Sequence, residues 1–170
     1  MFGRWLRSAE EVPTTPESRE ILALFRQYLP GADAETWRVV AAIAGLLAAV
    51  AYADRTYTDE EDAHVRAALE RVHGLPSAGV DAISQTLRRH APTLSAVELP
   101  RFARDLREFG DNELRLEVLS ALVGLAAADG ELGTAEVNLL RHITSTLGLS
   151  QSDYNHAQAE HRAKLAVLKS

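Results

Sequence analysis

Apolar residues recur at three- and four-residue intervals along most of this chain, which is the spacing of one face of a helix. Between Ser95 and Gly110, for example, Phe102, Leu106 and Phe109 fall at positions i, i+4 and i+7. No segment alternates apolar and polar residues for long enough to indicate a β-strand. The pattern therefore predicts an all-α fold with about eight helices in a single bundle.

Capping residues and helix breakers indicate where these helices begin and end. The signals are a side chain that can accept an N-terminal amide, a proline at the first helical position, and a glycine after the last turn. They predict helices over about 16–29, 33–53, 58–73, 77–90, 95–109, 111–128, 134–147 and 150–168. Residues 1–15 are expected to form a flexible N-terminal tail and residues 16–170 a helical domain.

The longest uncharged run, VVAAIAGLLAAVAYA, lies between Arg38 and Asp54. It is shorter than the ~20 apolar residues that a membrane-spanning helix needs. A helix that is apolar on all sides is typical of the buried centre of a helical bundle. We therefore expect no membrane span. In the first residues, Phe2, Trp5 and Leu6 stand beside two arginines, which allows either a short amphipathic anchor or a loose tail.

Charge and cysteine content exclude several classes of protein. The 170 residues carry a net charge of −6, which argues against nucleic-acid binding because that requires a basic face. The chain has no cysteine, so disulfides, thiolate metal sites and cysteine nucleophiles are excluded. A cysteine-free acidic chain fits a cytoplasmic location.

An internal repeat organises the predicted helices. The segment LLAAVAYADRTYTDEE, starting at Leu46, aligns with ALVGLAAADGELGTAE, starting at Ala121, at a constant offset of 75 residues. Each copy consists of an apolar helix, an aspartate, a brief turn and a capped helix. We therefore predict a pseudo-two-fold arrangement whose halves cover about 34–90 and 111–168.

Each copy contains an Asp–x6–Glu pair, Asp54 with Glu61 and Asp129 with Glu136. In the capping interpretation, each aspartate closes an Asx-turn and each glutamate caps the next helix. In the second interpretation, each turn gathers carboxylates beside the free carbonyls of a helix end. Such oxygen ligands suit Ca²⁺ or another divalent cation. The sequence is compatible with both interpretations.

Motifs for catalysis are missing from the sequence. The chain has no nucleotide-binding, nucleophile-elbow or zinc-protease motif. The pairs Glu61 with His64 and Glu70 with His73 lie on one helix and face opposite directions, so they do not form a di-iron site. We therefore predict that the protein is not an enzyme. The remaining enzymatic alternative, a metal held by the clustered carboxylates, would need an enclosed pocket.

The segments AYADRTYTDEE and AAADGELGTAEVNLL, the second followed by LGLS, resemble the TerB family of tellurite-resistance proteins and the related N-terminal domain of the DjlA co-chaperone. The resemblance covers roughly Glu35 to Leu149. It implies an all-helical pseudo-two-fold domain with an acidic, metal-binding surface. It also implies a role in tellurite or other chemical stress, with membrane-associated partner proteins. The implied metal ligands are Asp54, Glu61, Asp129 and Glu136, whereas Arg55 departs from the glycine that the family pattern has after the aspartate.

We accordingly predict a non-enzymatic module that binds a divalent cation and engages protein partners in the stress response. The expected location is the cytoplasm, or the periphery of the inner membrane if the partners are membrane-associated. The alternative is a metal-free helical adaptor related to the DjlA N-terminal domain, in which the acidic turns are only caps.

Overall fold

A computed structural model describes residues 15–128, 130 and 132–169 of the chain, except for the side chains of residues 165, 166, 168 and 169. The tail predicted over residues 1–15 therefore lies outside the described part, apart from its last residue. The described part holds helices and no strand, so the all-α prediction is confirmed. Its helices are α1 (Pro16–Tyr28), α2 (Ala34–Ala51), α3 (Asp59–Glu70), α4 (Ser77–Thr93), α5 (Leu99–Phe109), α6 (Asn112–Ala126), α7 (Thr134–Thr146) and α8 (Gln151–Lys169).

Helix α2 forms the centre of the bundle. Eleven of its eighteen residues are buried, and it packs against α1, α3, α4, α5, α6 and α7. Although α2 is long and apolar enough to cross a membrane by length and composition, more than half of it is buried inside the bundle. The prediction that the uncharged run is a core helix is confirmed.

Side-chain caps begin five of the helices where the sequence predicts them. Each capping residue accepts a hydrogen bond from the amide three residues later; the five are Thr15, Asp33, Thr58, Asp111 and Ser150. The cap predicted at Ser77 is wrong. Pro76 is the N-cap of α4 and makes no side-chain capping bond, and Ser77 is the first helical residue. A proline in extended conformation can begin a helix because its fixed φ is compatible with that position.

The predicted break near Pro92 is also wrong. Helix α4 continues past Pro92 into a π-helical turn, Leu94–Glu98, and then directly into α5. The apolar positions Ala91 and Leu94 remain fully buried across this stretch. Burial of the continuous helix therefore outweighs the hydrogen bond lost at the proline, and the π turn absorbs the distortion.

Helices α2 and α5 approach closely at Gly45. A Cβ atom placed on Gly45 would clash with the buried ring of Phe102. Two ion pairs lie along the same contact: Arg38 binds Asp105 at 2.8 Å, and Arg101 binds the almost fully buried Glu98 at 2.6 Å. The contact thus combines tight packing with charges that are paired.

We predict that Gly45→Ala destabilises the protein by about 1–3 kcal/mol, because the methyl group overpacks the contact between α2 and α5. This loss is net of the ~1 kcal/mol that alanine gains over glycine inside a helix. Gly124→Ala in α6 is the matched control, since its Cβ would meet only His161 Nδ1, at 3.8 Å. Urea unfolding monitored by circular dichroism measures both. Equal stabilities for the two variants would contradict the tight contact.

Candidate functional site

The two turns singled out by the internal repeat share one backbone hydrogen-bond pattern. In the first turn the amide of Arg55 donates to the carbonyl of Tyr52 at 2.8 Å, and in the second the amide of Gly130 donates to that of Ala127 at 3.0 Å. Three more bonds from a backbone amide to a carbonyl recur at the same offset of 75 residues. The bond from Tyr52 to Ala48 corresponds to that from Ala127 to Val123, and the bond from Ala53 to Val50 corresponds to that from Ala128 to Leu125. The bond from Asp62 to Thr58 corresponds to that from Val137 to Gly133. The two turns thus share four backbone hydrogen bonds.

The residue after each aspartate has a positive φ. Arg55 has φ 66° and Gly130 has φ 107°. The position where this chain departs from the family pattern is therefore one that favours glycine. An L-residue in the left-handed region is strained by roughly 1–2 kcal/mol.

In the first turn each carboxylate already has donors. Oδ1 of Asp54 accepts the amide of Thr56 at 3.0 Å and its hydroxyl at 2.7 Å, which forms an Asx-turn. Oε2 of Glu61 accepts the amide of Thr58 at 2.8 Å and completes a capping box. Asp54 and Glu61 lie on the same segment but bind different threonines.

Arg88 of α4 adds a positive charge to the first turn. Its guanidinium donates to Oδ1 of Asp59 at 3.0 Å and to the carbonyl of Tyr57 at 2.8 Å. Burial raises the pKa of the Tyr57 phenol well above its usual range, and the nearby Asp62 carboxylate raises it further. The first turn is thus tied to the bundle by donors from the protein itself.

In the second turn, Asp129 lies outside the described residues. Glu136 is buried in the first turn of α7, and its carboxylate lies against Gly133, where a Cβ atom would clash with it. Glycine at position 133 therefore makes room for the glutamate. Within the described residues, no three histidine, aspartate or glutamate side chains are grouped so that they could hold a metal ion.

A cavity of about 180 Å³ separates the second turn from α8. Gly130 and Leu132 line it from the turn, and Gln158, His161 and Arg162 line it from α8. His161 Nε2 is buried and has no hydrogen-bond partner. Burial lowers the pKa of His161 below its ordinary value, and the nearby His64 and Lys164 lower it further.

Sequence reasoning did not single out His161. The signal was present in the spacing. His161 is four residues after Ala157 and seven after Tyr154, both of which are buried. The three residues therefore share one face of α8.

An open apolar groove of about 350 Å³ lies between α2, α3 and α6, and we call it the α2–α3–α6 groove. Its wall includes Val39, Ile43, Ala68, Val72, Leu114 and Val118. Arg71 and Glu117 also line it and form an exposed ion pair at 2.5 Å. The sequence did not reveal this groove, because three separate helices contribute to it.

The strained turn predicts opposite outcomes for two substitutions. Arg55→Gly should stabilise the protein by up to about 1 kcal/mol, since relief of the left-handed strain exceeds the entropy that glycine gains in the unfolded chain. Gly130→Ala should destabilise it by about 1–3 kcal/mol through the backbone alone, because no atom lies within 4 Å of the added Cβ. Chemical denaturation measures both. Stability changes of the same sign would contradict the shared positive φ.

The half-buried imidazole of His161 predicts a dependence of stability on pH. Because the pKa of His161 is lowered in the folded state, the unfolded chain binds a proton more readily. Neutral His161 therefore makes its full contribution to the unfolding free energy above about pH 6.5, the ordinary histidine pKa. That contribution is lost as the pH falls below this value. We expect His161→Gln to flatten the decline in unfolding free energy between about pH 7 and pH 5. The same decline in His161→Gln as in the parent protein would contradict this prediction.

Comparison with known proteins identifies the family. No curated protein and no solved structure matches the chain. Residues 40–159 match the family described as tellurite resistance protein TerB. The match runs from α2 into α8 and covers both turns and more than half of the chain. The chain therefore belongs to the TerB family.

Proposed function

We propose that this protein is a non-enzymatic interaction module of the tellurite or chemical-stress response that binds a divalent cation at its second turn. Membership of the TerB family supports the stress-response role. The shared hydrogen-bond pattern of the two turns supports a common origin for their carboxylates. Its partners would be proteins, because a net charge of −6 disfavours nucleic acid. The family resemblance implies that some of these partners are membrane-associated. It would act in the cytoplasm or at the periphery of the inner membrane.

The difference between the two turns is the observation that carries the cation proposal. In the first turn, the amide and the hydroxyl of Thr56 bind Asp54, and the backbone amide of Thr58 binds Glu61. At the same offset of 75, the second copy has Glu131 in place of Thr56 and Gly133 in place of Thr58. The hydroxyl that binds Asp54 is thereby replaced by a carboxylate, whereas Gly133 keeps a backbone amide at the position of Thr58.

This change of composition favours a cation at the second turn. Asp129, Glu131 and Glu136 give the second copy three carboxylates within eight residues and no basic residue among them. The same window of the first copy has four carboxylates, but it also contains Arg55, and its Asp59 is paired with Arg88. Clustered negative charge is stabilised by a hard divalent cation, and Ca²⁺ accepts carboxylate oxygens in flexible geometries. We therefore assign Ca²⁺, or a similar divalent cation, to the second turn. The first turn, with Asp54 and Glu61, would act as a cap.

The alternative function is a metal-free helical adaptor whose acidic turns are both caps. The capping box of Thr58 and Glu61 favours it directly. Arg162 also lines the cavity beside Gly130, so a positive side chain is available near the second turn. In this alternative, partner binding would not depend on any cation.

We predict that full-length protein titrated with CaCl₂ gives saturable heat in calorimetry and a rise in Tm, because a cation that binds only the folded state stabilises it. At free Ca²⁺ 100-fold above Kd the stabilisation is about 2.7 kcal/mol. Asp129→Asn should abolish both responses, since it removes one carboxylate of the cluster.

Asp54→Asn is the matched control, and it should retain the response to Ca²⁺. Because Asp54 accepts two bonds in its turn, this variant has a modest stability loss of its own, which is measured without the cation. A response absent at millimolar Ca²⁺, or unchanged in Asp129→Asn, would favour the metal-free adaptor.

A further inference from the structure

The α2–α3–α6 groove is an apolar surface whose occupant the described residues do not supply. Val39, Ile43 and Leu114 are only partly buried along its wall. Between Thr36 and Leu47, both of which line the groove, α2 rises about 16 Å. A helix of about seven residues, roughly 10 Å long, fits within that length. The apolar wall suits an amphipathic segment whose apolar side chains recur at helical spacing.

The exposed charges around the groove are mainly acidic. Glu117 lines the groove, and the exposed residues Glu35, Glu70 and Glu113 each neighbour a lining residue in sequence. Arg71 is paired with Glu117. An occupant that carries basic side chains next to its apolar face would therefore complement the rim.

The chain itself contains a segment with this chemistry. In residues 1–14, the large apolar side chains Phe2, Trp5 and Leu6 have the spacing i, i+3, i+4, and Arg4 and Arg7 stand among them. In a helix this spacing would place the three apolar residues on one face. The segment precedes the family match, which begins at residue 40.

The length of the chain allows this segment to reach the groove. Thr15 is the N-cap of α1, and Leu29, just after the other end of α1, lines the groove. Helix α1 has 13 residues and rises about 20 Å. Residues 8–14 in extended conformation span up to about 23 Å. Phe2, Trp5 and Leu6 can therefore return along α1 to the groove.

We propose that the N-terminal segment of this chain docks into its own α2–α3–α6 groove, with Phe2, Trp5 and Leu6 against the apolar wall and Arg4 and Arg7 toward the acidic rim. Covalent attachment makes the contact intramolecular and gives it a high effective concentration. A partner protein that uses the groove must then displace the segment. This inference concerns a different surface from the cation site and does not depend on a bound cation.

Tryptophan fluorescence tests the proposal in the full-length chain. The sequence has two tryptophans, Trp5 and Trp37, so the Trp37→Phe variant reports on Trp5 alone. We expect the emission of Trp5 to be blue-shifted relative to its emission in the same variant in concentrated urea. We also expect acrylamide to quench Trp5 several-fold less strongly than it does in urea. Emission and quenching equal to those in urea would overturn the proposal.

Groove and segment variants in the Trp37→Phe background locate the contact. Ile43→Asp in the groove and Leu6→Asp in the segment should each restore strong quenching of Trp5. The second variant leaves the described fold untouched, so it stays informative if Ile43→Asp fails to fold by circular dichroism. Val97→Asp is the control and should change nothing, since Val97 is 58% exposed in the π-helical turn and does not line the groove.

Two further outcomes would also overturn the proposal. Trp5 could remain protected in both Ile43→Asp and Leu6→Asp, which would place it elsewhere on the protein. Its protection could also disappear on dilution, which would show that the segment docks onto a second copy of the chain. Protection that is independent of concentration and sensitive to both variants supports intramolecular docking.

Discussion

Burial of α2 is the constraint on which the rest of the structure depends. An eighteen-residue helix that is apolar on nearly every side must be covered on nearly every side. Six other helices do so, and the small side chains of α2 let them approach closely, as Phe102 does at Gly45. Alanine buries little area per residue. The stability of the bundle therefore depends on many close helix contacts rather than on a few large side chains.

The ends of α2 and α6 explain why the acidic turns are where they are. Each helix ends in a turn that reverses the chain toward α3 or α7, and the same backbone bonds close both turns. Shared backbone hydrogen bonds do not impose identical chemistry. In the first copy, Thr56, Thr58 and Arg88 bind the turn from within the protein. In the second copy the threonines are absent, so the two turns can serve one fold while having different ligands.

Surfaces between helices carry features that no single helix contains. The cavity at His161 and the α2–α3–α6 groove each combine residues from elements that are distant in sequence. The groove lies where α6 meets α2 and α3, beside the end of α1. Its shape therefore depends on the packing of the core helix α2. A change in α2 that alters packing would therefore also alter the groove.

Much of the fold could be predicted because its signals are local. Thr58 with Glu61, Asp33 and Asp111 are caps whose partners lie three residues away, and the burial of α2 follows from its lack of charge. The error at Pro92 has a different origin. A proline weakens a helix locally, but the burial of Ala91 and Leu94 by distant helices maintains it. The extent of the two repeat halves, 34–90 and 111–168, stays a prediction.

The candidate site also has features that are local in sequence and features that depend on tertiary packing. Asp54 and Glu61 could be placed on a turn and a helix start from spacing alone, because Asx-turns and capping boxes involve neighbours in sequence. The sequence by itself also determined the all-α class, the core helix and the TerB resemblance. Only the tertiary structure placed Arg88 on the first turn, buried His161 Nε2 and opened the groove. These features arise where helices from different parts of the chain meet, and no local pattern specifies which side chains will face one another there.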